Sequence, residues 1–183
     1  MSKVYILRHG ETDYNVQSRY QGQSDIPLNE YWRRQVQTAK VYIKNLIFDV
    51  IYVSPTQRTN ETAHIINVRN VPLLQERAFL ERNMWVYEWL TRQEAQEKYP
   101  NLWKLNITRQ YKDAPTHWET IEDVEKRVFS KLDELKSTVT NDILIVTHAF
   151  TSKVIHKYFN PNISDDEFFG FIIGNSEIQT YEF

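Results

Sequence analysis

Three short runs constrain this chain more than anything else in it: Val4 to Leu7, Val50 to Val53 and Ile143 to Val146. Each is continuously apolar and rich in β-branched residues, the pattern of strands buried on both faces; a strand with one solvated face would alternate. Between them lie segments with helical spacing. These are Glu30 to Leu46, with Val36, Ala39, Val41, Ile43 and Leu46 apolar; Thr56 to Val68; Arg92 to Tyr99; and Thr120 to Thr138, with Val124, Val128, Leu132 and Leu135 on one face. Strand alternating with helix predicts an α/β fold around a largely parallel sheet. A chain of 183 residues suits one domain with a substantial core, so residues 1–183 are expected to form a single unit. The stretch from Asn101 to His117 is the least regular and is expected to be a surface insertion.

Charge and composition narrow the function classes. Lys and Arg total 22 against 24 Asp and Glu, a net charge of −2, which gives no electrostatic reason to expect nucleic acid or an anionic membrane as partner. With no cysteine, disulfides and thiol chemistry are excluded, and no apolar stretch approaches the roughly 20 residues of a membrane helix. The opening Met1-Ser2-Lys3-Val4-Tyr5-Ile6-Leu7-Arg8 becomes charged again too soon for a signal peptide, so a soluble, cytoplasmic protein is expected.

The chemistry follows the strands. Arg8-His9-Gly10-Glu11-Thr12 comes after the first, Ser54-Pro55-Thr56-Gln57-Arg58 after the second and Thr147-His148-Ala149 after the third. Ligands of open α/β sheets bind outside the carboxyl ends of the strands, so Arg8, His9, Arg58 and His148 are expected around one crevice. Guanidinium forks suit phosphate oxygens and a neutral imidazole is a nucleophile, so the set suggests phosphoryl transfer through a phosphohistidine. Ser54 is a candidate N-cap beside Arg58, with Pro55 in the first turn and free N–H groups adding to the anion site. His64, His117 and His156 lack such surroundings and read as surface or packing residues. No HExxH or comparable closely spaced ligand set appears, so no metal and no cofactor is expected. Asp165-Asp166-Glu167 reads as a solvated helix start.

These blocks resemble, in order and over nearly the whole chain, those of the histidine phosphatase superfamily, the phosphoglycerate mutase-like group. Arg8-His9-Gly10-Glu11-Thr12 with Asn15 is similar to its opening signature; Ser54-Pro55 with Arg58, Glu61, Thr62 and Ala63 to its second block; and Thr147-His148 to its third. Pro27-Leu28-Asn29-Glu30 with Gln35 matches a connecting motif, and Asn175 a late asparagine. The resemblance implies a three-layer α/β/α fold with a mostly parallel central sheet. It also implies a small-molecule phosphate ester as substrate, His9 as the phosphorylated nucleophile, and Arg8, Arg58 and His148 around the phosphoryl oxygens. Two glutamates compete for the acid; Glu81, followed by Arg82, Tyr87-Glu88, Leu90-Thr91 and Glu94 at the family's steps, registers where Glu76 does not. Kept protonated by an anionic neighbourhood, Glu81 would protonate the leaving oxygen and then take a proton from the hydrolytic water. Asn15, Gln21 and Thr147 are expected at the substrate. At 183 residues the chain looks more like the phosphatase branch than the longer mutases, which are the alternative; a phosphate-ester-binding pseudoenzyme is the third.

Glycine occurs only 4 times and tryptophan 5 times. Trp32, Trp85, Trp89 and Trp118 stand where family members usually carry glycine, and Ala149 is a milder replacement of the same kind. Either Trp85 and Trp89 reshape or cover the pocket, or the gene uses a code that reads UGA as glycine and tryptophan was read in its place. Repeated replacement by one rare, large residue favours the second account. Trp103 matches no family glycine.

Overall fold

The structure, a computed structural model, describes residues 2–183; the side chains at 34, 35 and 37–39 lie outside the described residues, and with them Gln35 of the connecting motif and Ala39 of the expected apolar face. In chain order the elements are β1 (Lys3–Arg8), α1 (Asp13–Val16), α2 (Glu30–Ile43), β2 (Val50–Val53), α3 (Gln57–Ile66) and β3 (Leu73–Gln75). There follow α4 (Arg92–Lys98), α5 (Pro100–Lys104), α6 (Ile121–Thr138), β4 (Ile143–Thr147), α7 (Ala149–Phe159), α8 (Asp165–Gly170) and β5 (Ile178–Glu182). The strand order is β3-β2-β4-β1-β5, with β5 alone antiparallel.

The three apolar runs are the three central strands. All five residues of β4 are buried, and alternate side chains face opposite layers. Val4, Ile6, Ile143 and Ile145 pack with α6, α7 and α8, while Tyr5, Leu7, Leu144 and Val146 pack with α2 and α3. That is the expected α/β/α sandwich. Thr120 opens α6 with a capping box closed by Asp123, and Ser164 opens α8 with one closed by Glu167, so the acidic run at 165–167 is a helix start as expected. The edge strands β3 and β5 and helix α7 are additions to the expected pattern. β3 spans only three residues, and β5 is partly exposed along its length, so neither shows the continuous apolar signature of a central strand.

Residues 84–118 do more than decorate the surface. Met84, Tyr87, Ala95, Ile107 and Trp118 form a third apolar cluster, at one side of which Thr108 and Arg109 wall the main cavity. The expected insertion at 101–117 is therefore part of the site.

Candidate active site

Parallel pairing brings the strand ends into register: Arg8 lies opposite Thr147 across β1 and β4, and Val53 opposite Val146 across β2 and β4. The residues that follow each strand thus meet at one edge. A cavity of about 420 Å³ opens there, walled by Arg8, His9, Arg58, Glu81, Asn15 and Gln21 among others.

His9 is 3% exposed and its Nδ1 lies 2.6 Å from the Gly10 carbonyl. A carbonyl only accepts, so Nδ1 carries the proton. Burial, with the Arg58 and Arg8 charges, pushes the His9 pKa well below the usual imidazole range. The ring is therefore neutral, and its Nε2 holds the free lone pair that a nucleophile needs. The Gly10 N–H donates to Thr62 Oγ1 at 2.9 Å, and Asn175 Nδ2 donates to the His9 carbonyl at 3.0 Å, so the backbone on both sides of the ring is tied down.

Arg58 is fully buried. It donates to the carbonyls of Ser24 (2.7 Å) and Gly22 (2.8 Å) and to His148 Nδ1 (3.1 Å), leaving its Nε–H without a partner. Burial lowers its pKa to about 10, which keeps it cationic at neutral pH. Arg8 donates to the Ile173 carbonyl at 2.8 Å, and its buried Nε–H is likewise unpartnered. Two buried, cationic N–H donors without acceptors beside a neutral imidazole describe an anion site. Gly22 supports it: its φ is +49°, and a Cβ there would fall 2.0 Å from Glu88 Oε1.

Glu81, not Glu76, is in the cavity wall. Its carboxylate accepts from the backbone N–H of Phe150 (3.1 Å) and Thr151 (3.2 Å), the otherwise unpaired donors of the first turn of α7. Arg127 braces the segment, donating to the carbonyls of Ala78 (2.6 Å) and Glu81 (3.3 Å). Glu76 instead caps a 3-10 turn and pairs with Lys131 at 3.0 Å.

Other expected residues move to new roles. Thr147 is fully buried and donates to the Phe79 carbonyl at 2.8 Å, away from the cavity wall, so its hydroxyl is not available to substrate. Asn15 closes the capping box of α1, and Gln21 Oε1 accepts from Thr12 Oγ1 at 3.0 Å; both stay in the wall. Ser54 is not the N-cap of α3. That position is Thr56, and the Gln57 N–H donates to Asp25 at 2.6 Å, so this helix start faces Asp25 rather than a ligand. Ser54 Oγ lies 2.7 Å from His148 Nε2 instead. His148 is fully buried behind the wall, its pKa pushed well below the usual range by burial and by Arg58. Arg58 can only donate to Nδ1, so the proton of this neutral ring sits on Nε2 and is given to Ser54. The order Arg58, His148, Ser54 is thus a chain of directed hydrogen bonds. Ser54→Ala is expected to raise KM for phosphate esters roughly tenfold, about 1.4 kcal/mol for one buried hydrogen bond, with recovery in Ser54→Thr; unchanged KM in both would refute the chain.

Among the histidines outside the site, His64 and His117 are exposed, and His156 stacks on Phe171 at 3.8 Å with Nδ1 2.8 Å from Tyr181 Oη. Among the described residues no group of three or more His, Asp or Glu side chains converges as a metal site, and no helix is long and apolar enough to cross a membrane. Arg82 carries no sequence signal beyond its place after Glu81. It is 1% exposed, lines the cavity, and keeps Nη2 unpartnered.

The tryptophans divide. Trp85 and Trp89 have φ of 36° and 78°, the left-handed region where glycine is at ease and a bulky residue is strained. Both are more than half exposed and line a separate depression, so they do not cover the cavity. Trp32 lies in the first turn of α2, and Trp118 is 7% exposed, packed edge-on to Tyr87.

The profile of the histidine phosphatase superfamily (branch 1) matches residues 4–183. The chain belongs to that superfamily. It is 33% identical over 150 residues to an uncharacterized phosphatase, PhoE, of Bacillus subtilis, covering 81% of this chain and 72% of that one. It is 28% identical over 218 aligned positions to a 2,3-bisphosphoglycerate-dependent phosphoglycerate mutase of Buchnera aphidicola, covering 99% and 93%. The solved structure of Bacillus stearothermophilus YhfR superposes with a TM-score of 0.89 at 26% identity, covering 100% of this chain and 91% of that one. Phosphatases and mutases are both among its relatives.

Proposed function

We propose that this chain is a metal-independent phosphomonoester hydrolase, a single catalytic domain over residues 1–183, that works through phospho-His9. The observation that carries the reading is the His9 ring: its proton is held on Nδ1 by the Gly10 carbonyl, and it sits beside the buried Arg58 and the half-buried Arg8 guanidinium groups. The Arg8 and Arg58 guanidinium charges, both in the cavity wall, would face the phosphoryl oxygens. Nε2 attacks phosphorus in line, the P–O bond to the alcohol breaks, and Glu81 gives its proton to the departing oxygen. Water then attacks phospho-His9, Glu81 takes the water's proton, and inorganic phosphate leaves. The Glu81 carboxylate accepts N–H and O–H donors from Arg82, Phe150 and Thr151, which fix its place in the wall.

Phosphoglycerate mutase activity is the second reading, supported by the wall beyond the phosphate site. Arg92 and Arg109 line it, and neither pairs with a carboxylate among the described residues, whereas Arg19 is tied to Glu94 at 2.6 Å. Such cations suit an alcohol portion that itself carries an anionic group. A pseudoenzyme loses its main support, because Trp85 and Trp89 stand outside the cavity wall. The readings separate in one assay with 3-phosphoglycerate: the hydrolase releases inorganic phosphate without a primer, while a mutase moves phosphate between positions only when primed with a bisphosphate. Primer-dependent exchange without net release would refute the hydrolase.

A further inference from the structure

We propose that Glu119 is a positioning residue for the proton step: with Gln23 and Arg127 it fixes the main chain at Glu81, and so the place of the acid relative to the phosphate site. This rests on the hydrolase reading above and concerns how its acid is held.

Glu81 is gripped at two ends. Its carboxylate accepts from the first turn of α7, at the N–H groups of Phe150 and Thr151. Its main-chain carbonyl has two lone pairs and accepts from Gln23 Nε2 at 3.1 Å and Arg127 Nη2 at 3.3 Å. These two donors come from distant parts of the chain and share one further partner, the Glu119 carboxylate. Arg127 forks onto it with Nε at 2.8 Å and Nη2 at 3.1 Å, a bidentate charge-assisted pair. Gln23 Nε2 at 3.3 Å and the Asn83 N–H at 2.9 Å complete its partners. The Glu119 and Arg127 side chains are only 23% and 20% exposed. Gln23, Glu119 and Arg127 are absent from the wall of the cavity at His9, so they reach the reaction through Glu81.

Removing the Glu119 charge releases the far end of this grip. Arg127 and Gln23 lose their common anchor, the Glu81 carbonyl loses its fixed donors, and the carboxyl is held by α7 alone. A displacement of about 1 Å is enough to spoil a transfer that depends on orientation. Phosphate binding has separate support. The Gly22 and Ser24 carbonyls that hold Arg58 lie in a loop fixed by Glu88, whose carboxylate accepts from the Gln23 N–H at 3.1 Å and from Ser24 Oγ at 2.5 Å.

Glu119→Gln and Gln23→Met, both close in size to the original residues, test this in the full chain with phenyl phosphate and 4-nitrophenyl phosphate. Phenolate needs a proton to leave; 4-nitrophenolate, stabilised by its nitro group, needs it far less, and kcat/KM reports the cleavage step for each. Glu119→Gln is expected to cost phenyl phosphate at least about tenfold more in kcat/KM than 4-nitrophenyl phosphate, with competitive inhibition by inorganic phosphate unchanged. Gln23→Met should show a bias of the same sign, about threefold, as loss of one hydrogen bond would. Equal losses for the two esters, no loss, or phosphate inhibition weakened in step with kcat/KM overturn the proposal. If Glu119→Gln does not fold, Gln23→Met decides by the same criterion. If the wild-type chain hydrolyses neither ester, the hydrolase reading fails instead. The grip on Glu81 is then read from amide hydrogen exchange at Phe150 and Thr151. Exchange accelerated there relative to the rest of α7 in Glu119→Gln sustains the proposal, and unchanged exchange rejects it.

Discussion

Replacing His9 with alanine is expected to lower kcat/KM for an aryl phosphate by at least about 10⁴-fold, the scale of losing a covalent nucleophile. The cost to the fold should be small, since the ring's Nδ1 bonds only to the neighbouring Gly10 carbonyl. The wild-type enzyme, quenched during turnover, should carry one acid-labile phosphoryl group, absent from His9→Ala. The charge state of His9 gives a second handle. Its pKa lies well below the usual imidazole value of about 6.5, because burial and the Arg58 and Arg8 charges all disfavour the imidazolium. A group whose folded pKa is depressed stays neutral as pH falls through the ordinary range, so the assigned His9 nitrogen shifts should not move between about pH 7.5 and 6. A His9 titration centred near 6.5, or full activity in His9→Ala, would remove the nucleophile from this position.

Restoring glycine at 85 and 89 together is expected to stabilise the protein. A residue with a side chain held at φ of 36° or 78° carries strain of about 1–3 kcal/mol. Little packing is lost in exchange, since Trp85 is 53% and Trp89 60% exposed. The chief contact forfeited is the hydrogen bond from Trp89 Nε1 to Ser24 Oγ at 2.6 Å. After the extra entropy of glycine in the unfolded chain, the pair should gain about 2 kcal/mol, a rise in Tm of roughly 4–8 °C. Trp32→Gly should do the opposite, because glycine inside a helix costs about 1 kcal/mol relative to alanine. Trp118 is ambivalent: its ring is buried against Tyr87, but its Nε1 has no partner. Melting curves of the single and paired variants measure all of this, and a Tm lowered by the 85/89 pair would show that the tryptophans are accommodated without strain. The gene gives an independent check. UGA codons are expected at 32, 85, 89 and 118, and UGG there would eliminate the recoding account.

How much of the site was legible follows from what sequence patterns encode. The runs at 4–7, 50–53 and 143–146 name the central strands because double-sided burial leaves a continuous apolar signature. Once these are strands, Arg8, His9, Arg58 and His148 must lie near one sheet edge. Helix α7 went unrecognised although its first turn holds the Glu81 carboxylate, and Ser54 was legible only as a local cap. Its actual partner is 94 residues away, beyond the reach of any local rule.

The sequence by itself therefore determined the layered fold and the strand ends that carry chemistry, because burial and periodicity are written in residue type and spacing; which of the four tryptophans sit in left-handed backbone was decided only by the structure. Only the tertiary structure decided that Glu76 pairs with Lys131 while the motif-chosen Glu81 is held by the first turn of α7, that Thr147 turns inward, and that Trp85 and Trp89 leave the cavity open. It also assigned the ring proton of His9 to Nδ1 and that of His148 to Nε2. Those outcomes depend on which donor meets which acceptor across distant segments, and such pairings exist only once the sheet has brought the strand ends together.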